Sequence, residues 1–166
     1  MGKYKYGVIK SEVGTYNEVD GTSTGWAEIE PYKDTIVITE EDPTTTNHFK
    51  QGDANPKITR QQPGAQNIEL SIMDLSADSK VMWLGGTKTT VSTKETWNAP
   101  KVKTPKIKSL RFTLETGEIL TIPKVSCFGK LDFKASDTDI DLITVSGVIQ
   151  DPGFAGVAPM MIADPE

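Results

Sequence analysis

The chain has one cysteine and one histidine in 166 residues. A single thiol cannot close an internal disulfide, so a stapled framework is excluded. A single imidazole excludes the His-rich metal sites and leaves His48 as the one base for any Ser/His or Cys/His pair. Aromatic residues are scarce, at 7%. No run approaches the ~18 consecutive apolar residues of a membrane-crossing helix. Residues 1–6 hold no apolar run and no small-residue cleavage site, which predicts a protein made without a signal peptide or Sec export. The glycine-rich phosphate loops GxxxxGK[ST] and GxGxxG are also missing. The net charge of −5 argues against a protein whose main task is to grip phosphate backbones.

What is present is β composition: abundant threonine beside Val, Ile and Phe. The length predicts a single domain, residues 1–166, with about 18,000 Å² to bury on folding. The clearest strand is at 67–73. Ile68, Leu70 and Ile72 alternate with Asn67, Glu69 and Ser71, the pattern of a strand with one buried and one wet face. Further strands are expected at 34–40, 107–115, 118–122, 125–133 and 140–150. Leu110, Phe112 and Leu114 point inward, and Thr116-Gly117 turns the chain into a hairpin. One short α-helix is expected at about 76–84, with Ser76 as N-cap, Asp78 in the first turn and Gly85 at the C-terminal end. Ala77, Val81 and Leu84 share a face at helical spacing, and Trp83 is expected in the core. The fold class is therefore mainly β, antiparallel, flanked by this helix.

Two segments look irregular. Residues 41–57 carry Pro43, three threonines, Gly52 and Pro56 with one large apolar residue, Phe49, which predicts a long extended loop. Residues 152–166 form an apolar but irregular tail that folds back on its own domain or docks on a neighbour. The charge is also unevenly placed. Residues 12–42 hold nine acids and one base, Lys33, whereas residues 88–111 hold seven bases and one acid, Glu95. Lysines blunting exposed strand edges account for this. A self-complementary subunit associating head to tail accounts for it equally, with Lys101, Lys103, Lys106 and Lys108 as a basic contact patch.

The search for chemistry is mostly negative. His48 lies in a Thr/Asn-rich stretch without a motif. Cys127 lies in a strand, where a small buried hydrophobe is the default. Asp137, Asp139 and Asp141 start like a calcium loop, but Leu142 stands where glycine is needed and Val148 where glutamate is needed. No carboxylate pair has a spacing that singles it out. No enzymatic activity, catalytic residue, metal or cofactor is expected. A non-enzymatic β-sandwich module binding glycan or protein stays open, with Trp26, Trp97, Tyr32 and Tyr16 as the aromatics that could form a platform.

The stretch Asn67-Ile68-Glu69-Leu70-Ser71-Ile72-Met73-Asp74-Leu75-Ser76, followed by Lys80-Val81-Met82-Trp83-Leu84-Gly85-Gly86, resembles the strand–helix–Gly-Gly core of phage tail tube proteins. The order of parts agrees over about residues 20–150: an early strand, a long loop, a strand, one short helix, then antiparallel strands. The resemblance implies a β-barrel or sandwich shared with type VI secretion and related injection-machine tubes. It implies a homohexameric ring, and rings that stack into a hollow tube conducting phage DNA without tight binding. It places the protein in the virion, assembled in the bacterial cytoplasm, with tape-measure and terminator proteins as further partners and no membrane. It makes the long loop an inter-subunit bridge, through Glu41, Asp42, Pro43, Thr44, His48, Phe49, Lys50 and Asp53. An acidic channel wall then falls to Asn67, Glu69 and Ser71, with Glu28 and Glu30. Another virion component, a decoration or tail-terminator protein, is the alternative within that class.

Overall fold

The structure, a computed structural model, describes residues 4–165; the first three residues and Glu166, the tail's last residue, lie outside the described residues. The expected fold class is what the chain adopts: mainly antiparallel β with one short helix, the sheet curled strongly into a half-barrel. The strands are β1 (Val8–Tyr16), β2 (Ser23–Glu28), β3 (Val37–Glu40), β4 (Thr44–His48), β5 (Ile58–Gln62), β6 (Gln66–Ile72), β7 (Thr87–Val91), β8 (Lys94–Asn98), β9 (Lys106–Leu114), β10 (Ile119–Asp132), β11 (Leu142–Ile149) and β12 (Met161–Ala163); the helix α1 (Ala77–Leu84) falls between β6 and β7. The main sheet runs β2-β1-β9-β10-β11-β6-β3, with β12 added on β10.

Alternation builds the core. Ile68, Leu70 and Ile72 of β6, Leu110 and Phe112 of β9, and Ile143 and Val145 of β11 are each 1% exposed or less. They share the inner face of the curl with Ile122, Val125 and Cys127 of β10. Helix α1 covers this face over Gly129, where an added Cβ would lie 2.3 Å from the Trp83 carbonyl oxygen. Ser76 caps the helix by accepting from the Ser79 N–H, and Gly85 closes it with φ 83°. The buried face is Ser79, Trp83 and Leu84; the expected Ala77–Val81–Leu84 face is corrected, because the large indole of Trp83 takes the position against the sheet while Ala77 and Val81 stay half-buried.

β2 and β3 belong to one bent segment that ties the two ends of the curl together. Ile29 N–H donates to the Ser11 carbonyl at 2.9 Å, so the first part lies along β1. Tyr32 N–H donates to Ser71 at 2.7 Å and Met73 N–H to Glu30 at 2.9 Å, so the second part lies along β6. β10 is one strand of 14 residues, where the sequence suggested two. Pro123 and Lys124 sit in a bulge between the Ile122–Leu110 and Val125–Lys108 pairs, a place in a sheet that tolerates proline. The tail is less irregular than expected, and it folds back on its own domain. Tyr16 donates to the Pro152 carbonyl, Phe154 packs on Gly21, and residues 161–163 pair with 119–121 as β12.

On the outer face, Glu12 is only 7% exposed and pairs across the ladder with Arg111, whose Nε donates to its Oε2 at 2.8 Å. Trp26 stacks on the guanidinium at 4.2 Å. The Arg111 hydrogen bond holds the Glu12 carboxyl below its ordinary value; burial opposes this, and Lys10, 3.0 Å away, reinforces it. A depressed folded value means that Glu12 stabilises the fold above its unfolded pKa, and that the contribution fades as pH falls through the folded value. Arg111→Met leaves a buried carboxylate without its main partner and should cost about 1–3 kcal/mol near neutral pH. Urea unfolding at pH 7 and at pH 3 checks this: the deficit against wild type should narrow at the lower pH. An equal deficit at both would assign the loss to packing against Trp26.

Candidate functional site

The most conspicuous surface feature is a β-ribbon. β3 pairs with β6 from Val37–Glu69 to Glu40–Gln66, Glu41 N–H donates to Ala65, and β4 pairs with β5 from Thr44–Gln62 to His48–Ile58. The register is the same throughout, with no residue gained or lost. Two antiparallel ladders thus follow each other in one register, β3–β6 in the main sheet and β4–β5 in a sheet of its own, with residues 42–43 and 63–64 unpaired between them. The expected loop at 41–57 is therefore corrected: it is the outgoing strand and tip of this ribbon, and the return strand is 58–62. Threonines supply β propensity, and Thr59 donates to Asn47 across the ribbon at 2.8 Å. At the root, Gly64 is required by space, since a Cβ there would lie 2.0 Å from the Glu41 carbonyl oxygen.

Every residue of β4 and β5 is exposed, as are the expected bridge residues Glu41, Asp42, Pro43, Thr44, His48, Phe49, Lys50 and Asp53. Phe49 and Ile58, 57% and 62% exposed, place apolar surface in water near the tip. A two-stranded ribbon is marginally stable alone. At a rise of ~3.4 Å per residue, residues 42–48 span at most about 24 Å. The root carries Glu40, Glu41 and Asp42, while the outer part, 48–62, carries Lys50, Lys57 and Arg60 against Asp53 alone.

A second hairpin, β7 with β8, turns through Ser92, which takes φ 59°. It is fastened to α1: the Trp97 indole donates to the Gly85 carbonyl at 2.9 Å, and Lys88 bridges Asp78 at 2.7 Å and Glu95 at 3.2 Å, which raises its pKa. The four lysines expected as a contact patch are split. Lys101 and Lys103 are exposed, before β9 begins. Lys106 and Lys108 are half-buried on the core side of β9, beside Cys127, and burial pushes the Lys108 pKa down.

The five expected channel residues are also divided. Asn67, Glu69 and Ser71 lie on the outer face of β6, Glu69 exposed and the other two half-buried. The rows across the sheet bring apolar neighbours to that face, however. Glu69 pairs with Ser146 and Val37, and Ser146 with Phe128; Val37 and Phe128 are about 46% and 45% exposed. Glu28 and Glu30 instead border a separate cavity of about 320 Å³, with Asp74, Asp78 and Met82 beside the start of α1.

Among the described residues, the two nucleophile–base candidates lie apart. His48 stands on the ribbon, while Cys127 is buried in β10 with its thiol pushed up to about 12 by burial. Asp141 accepts from Lys134 N–H at 2.7 Å and closes its own loop. No group of three or more His, Cys, Asp or Glu that could hold a metal occurs among the described residues. The four aromatics expected as a platform do not gather, although Tyr32 shares its cleft with Tyr6. Trp26 is under Arg111, Trp97 is at the end of α1, Tyr16 is buried beneath the tail, and Tyr32 borders a cleft of about 510 Å³.

Compared with known proteins, the chain matches no protein-family model and no curated protein.

Proposed function

We propose that this chain is a non-enzymatic structural subunit that self-assembles, in the manner of a phage tail tube protein, into rings that stack around a channel for DNA. The observation that carries this reading is the ribbon: a two-stranded sheet in register with the β3–β6 edge of the barrel and exposed at every residue. Its accessible surface supports it, since the chain exposes 11147 Å² where a compact domain of its mass exposes about 8,000 Å². That excess, and the apolar side chains on it, suit a protein completed by copies of itself. The outer face of β6 is the channel wall in this proposal, with Glu69 repelling phosphates as it recurs around each ring. The virion is its place of action, and other tail proteins are its further partners.

Sedimentation velocity over a wide concentration range, with negative-stain microscopy, tests the assembly. A monomer at every concentration and salt would overturn the reading. Glu69→Lys tests the wall. Assembly should hold, because an exposed substitution costs within about 0.5 kcal/mol, while DNA passage slows and infectivity drops at constant particle yield. Loss of rings instead would make this face, with Phe128 and Val37, a contact between copies.

A further inference from the structure

The cleft of about 510 Å³ opens where the bent segment crosses from β1 to β6. Residues 5–8 at the start of β1, with Leu114 and Glu115 at the end of β9, line one side, and residues 31–34 with Ile36 line the other. Both sides are held in place. Tyr32 N–H donates to the Ser71 carbonyl at 2.7 Å. The Thr35 hydroxyl donates to the Tyr32 carbonyl at 2.6 Å and accepts from Ser71 N–H at 3.2 Å. This turn sets Asp34 at φ 60°, a conformation that aspartate tolerates better than most residues. On the other side, a Cβ on Gly7 would lie 2.4 Å from the Glu115 carboxyl carbon, so the glycine makes the room in which that carboxylate lies.

The lining selects a class of ligand. Lys5 and Lys33 balance Asp34 and Glu115, so the cleft has no net charge with which to hold an anion or a cation. Two other hollows differ in this. One of about 380 Å³ beside Phe128 has Glu69 as its one charge, and the cavity beside α1 has four carboxylates and no base. Lys5 reaches Glu118 at 3.9 Å, while Lys33, Asp34 and Glu115 enter no ion pair among the described residues. A wholly apolar ligand would take water from these heads and return no hydrogen bond. A neutral sugar meets both kinds of surface. Its C–H face is apolar and lies flat on tyrosine, a rigid ring that makes contact at low entropy cost. Tyr6 and Tyr32 are 63% and 44% exposed and available for this. Its hydroxyls donate to carboxylates and accept from ammonium groups, and such charge-assisted bonds are the stronger ones. The volume falls within the ~300–1,000 Å³ of small-molecule sites.

We propose that this cleft binds a neutral oligosaccharide, with Tyr6 and Tyr32 against the sugar rings and Asp34, Glu115 and Lys33 on the hydroxyls. The site lies within one subunit and does not depend on the self-assembly reading. Calorimetric titration and saturation-transfer NMR on the full chain test it. The probes are three neutral trimers, cellotriose, maltotriose and tri-N-acetylchitotriose, and two charged ones, trigalacturonate and chitosan trimer. A neutral trimer should bind with a Kd of about 1 mM or tighter, ahead of both charged trimers. Tyr6→Ala and Tyr32→Ala should each weaken it about tenfold. Asp34→Asn keeps the turn, since asparagine shares the tolerance of positive φ, and should weaken it about fivefold. Phe133→Ala removes an aromatic ring that is 71% exposed and outside the cleft, and should bind as wild type does. Melting curves confirm that each variant is folded. No signal from any neutral trimer at about 10 mM would overturn the site. So would preference for a charged trimer, or undiminished affinity in Asp34→Asn or in both tyrosine variants. Sedimentation of the same samples reads assembly separately. A monomer that binds the trimer overturns self-assembly alone, and tubes that ignore it overturn the site alone.

Discussion

A variant in which residues 42–64 are replaced by Asn-Gly should fold like the wild type and fail to form tubes. The constant register makes this deletion clean. Glu41 and Ala65 already face each other across the ladder, and a two-residue Asn-Gly turn joins paired strands with the twist they need. The removed ribbon has every residue of both strands exposed, so little buried apolar area goes with it. Shortening the connection from residues 42–64 to two residues lowers its loop-closure cost by about 2 kcal/mol. The urea midpoint should therefore hold or rise, while sedimentation should collapse to the monomer at concentrations where the wild type assembles. Tubes of normal length from the shortened chain would remove the ribbon from the assembly.

The ribbon also shows where the sequence stops being informative. Strand β6 was legible because one face is buried: Ile68, Leu70 and Ile72 stand at alternate positions and are all within 1% of full burial. Strands β4 and β5 have no buried face, so no apolar alternation marks them, and Pro43, Gly52 and Pro56 looked like a loop. The same holds for β7 and β8, exposed but for Trp97. Strand β1 was missed for another reason. Ser11 and Glu12 are buried in its middle, and what makes a buried glutamate tolerable is Arg111, 99 residues away. Chain-distant compensation of that kind leaves no local trace.

For the site, charge counting found the acidic and basic segments but not their placement. Nine acids in residues 12–42 suggested one acidic face. Folding sends Glu12 into an ion pair, Glu18 to Lys124, and Glu28 and Glu30 to the cavity beside α1, away from Glu69. The bent segment that joins the two ends of the curl produces this dispersal. A signal did exist for the cavity: Asp74 and Asp78 flank the Ser76 cap, and acids beside a helix start are common. Their meeting with Glu28 and Glu30 depends on Pro31 bridging to Ile72, a contact between segments 41 residues apart.

A large loss of stability from one small change is expected at Gly129. Its Cβ position lies 2.3 Å from the Trp83 carbonyl oxygen, 2.8 Å from the Trp83 carbonyl carbon and 3.1 Å from a Leu84 methyl. The first two are backbone atoms of the last helical turn, which cannot swing aside as a side chain does. Gly129→Val must therefore lift the end of α1 from β10. Overpacking costs typically about 1–3 kcal/mol, and a blocked backbone belongs at or above the top of that range. For a domain of this size the melting temperature should fall by about 6–12 °C. Gly147→Ala is the comparison, because its nearest neighbour is a Val125 methyl at 2.5 Å on a side chain that can shift, and its loss should be smaller. Trp83, 2% exposed, reports the difference: its near-ultraviolet dichroism should weaken in Gly129→Val and persist in Gly147→Ala. Melting equal to wild type would mean that α1 is not seated on Gly129 at all.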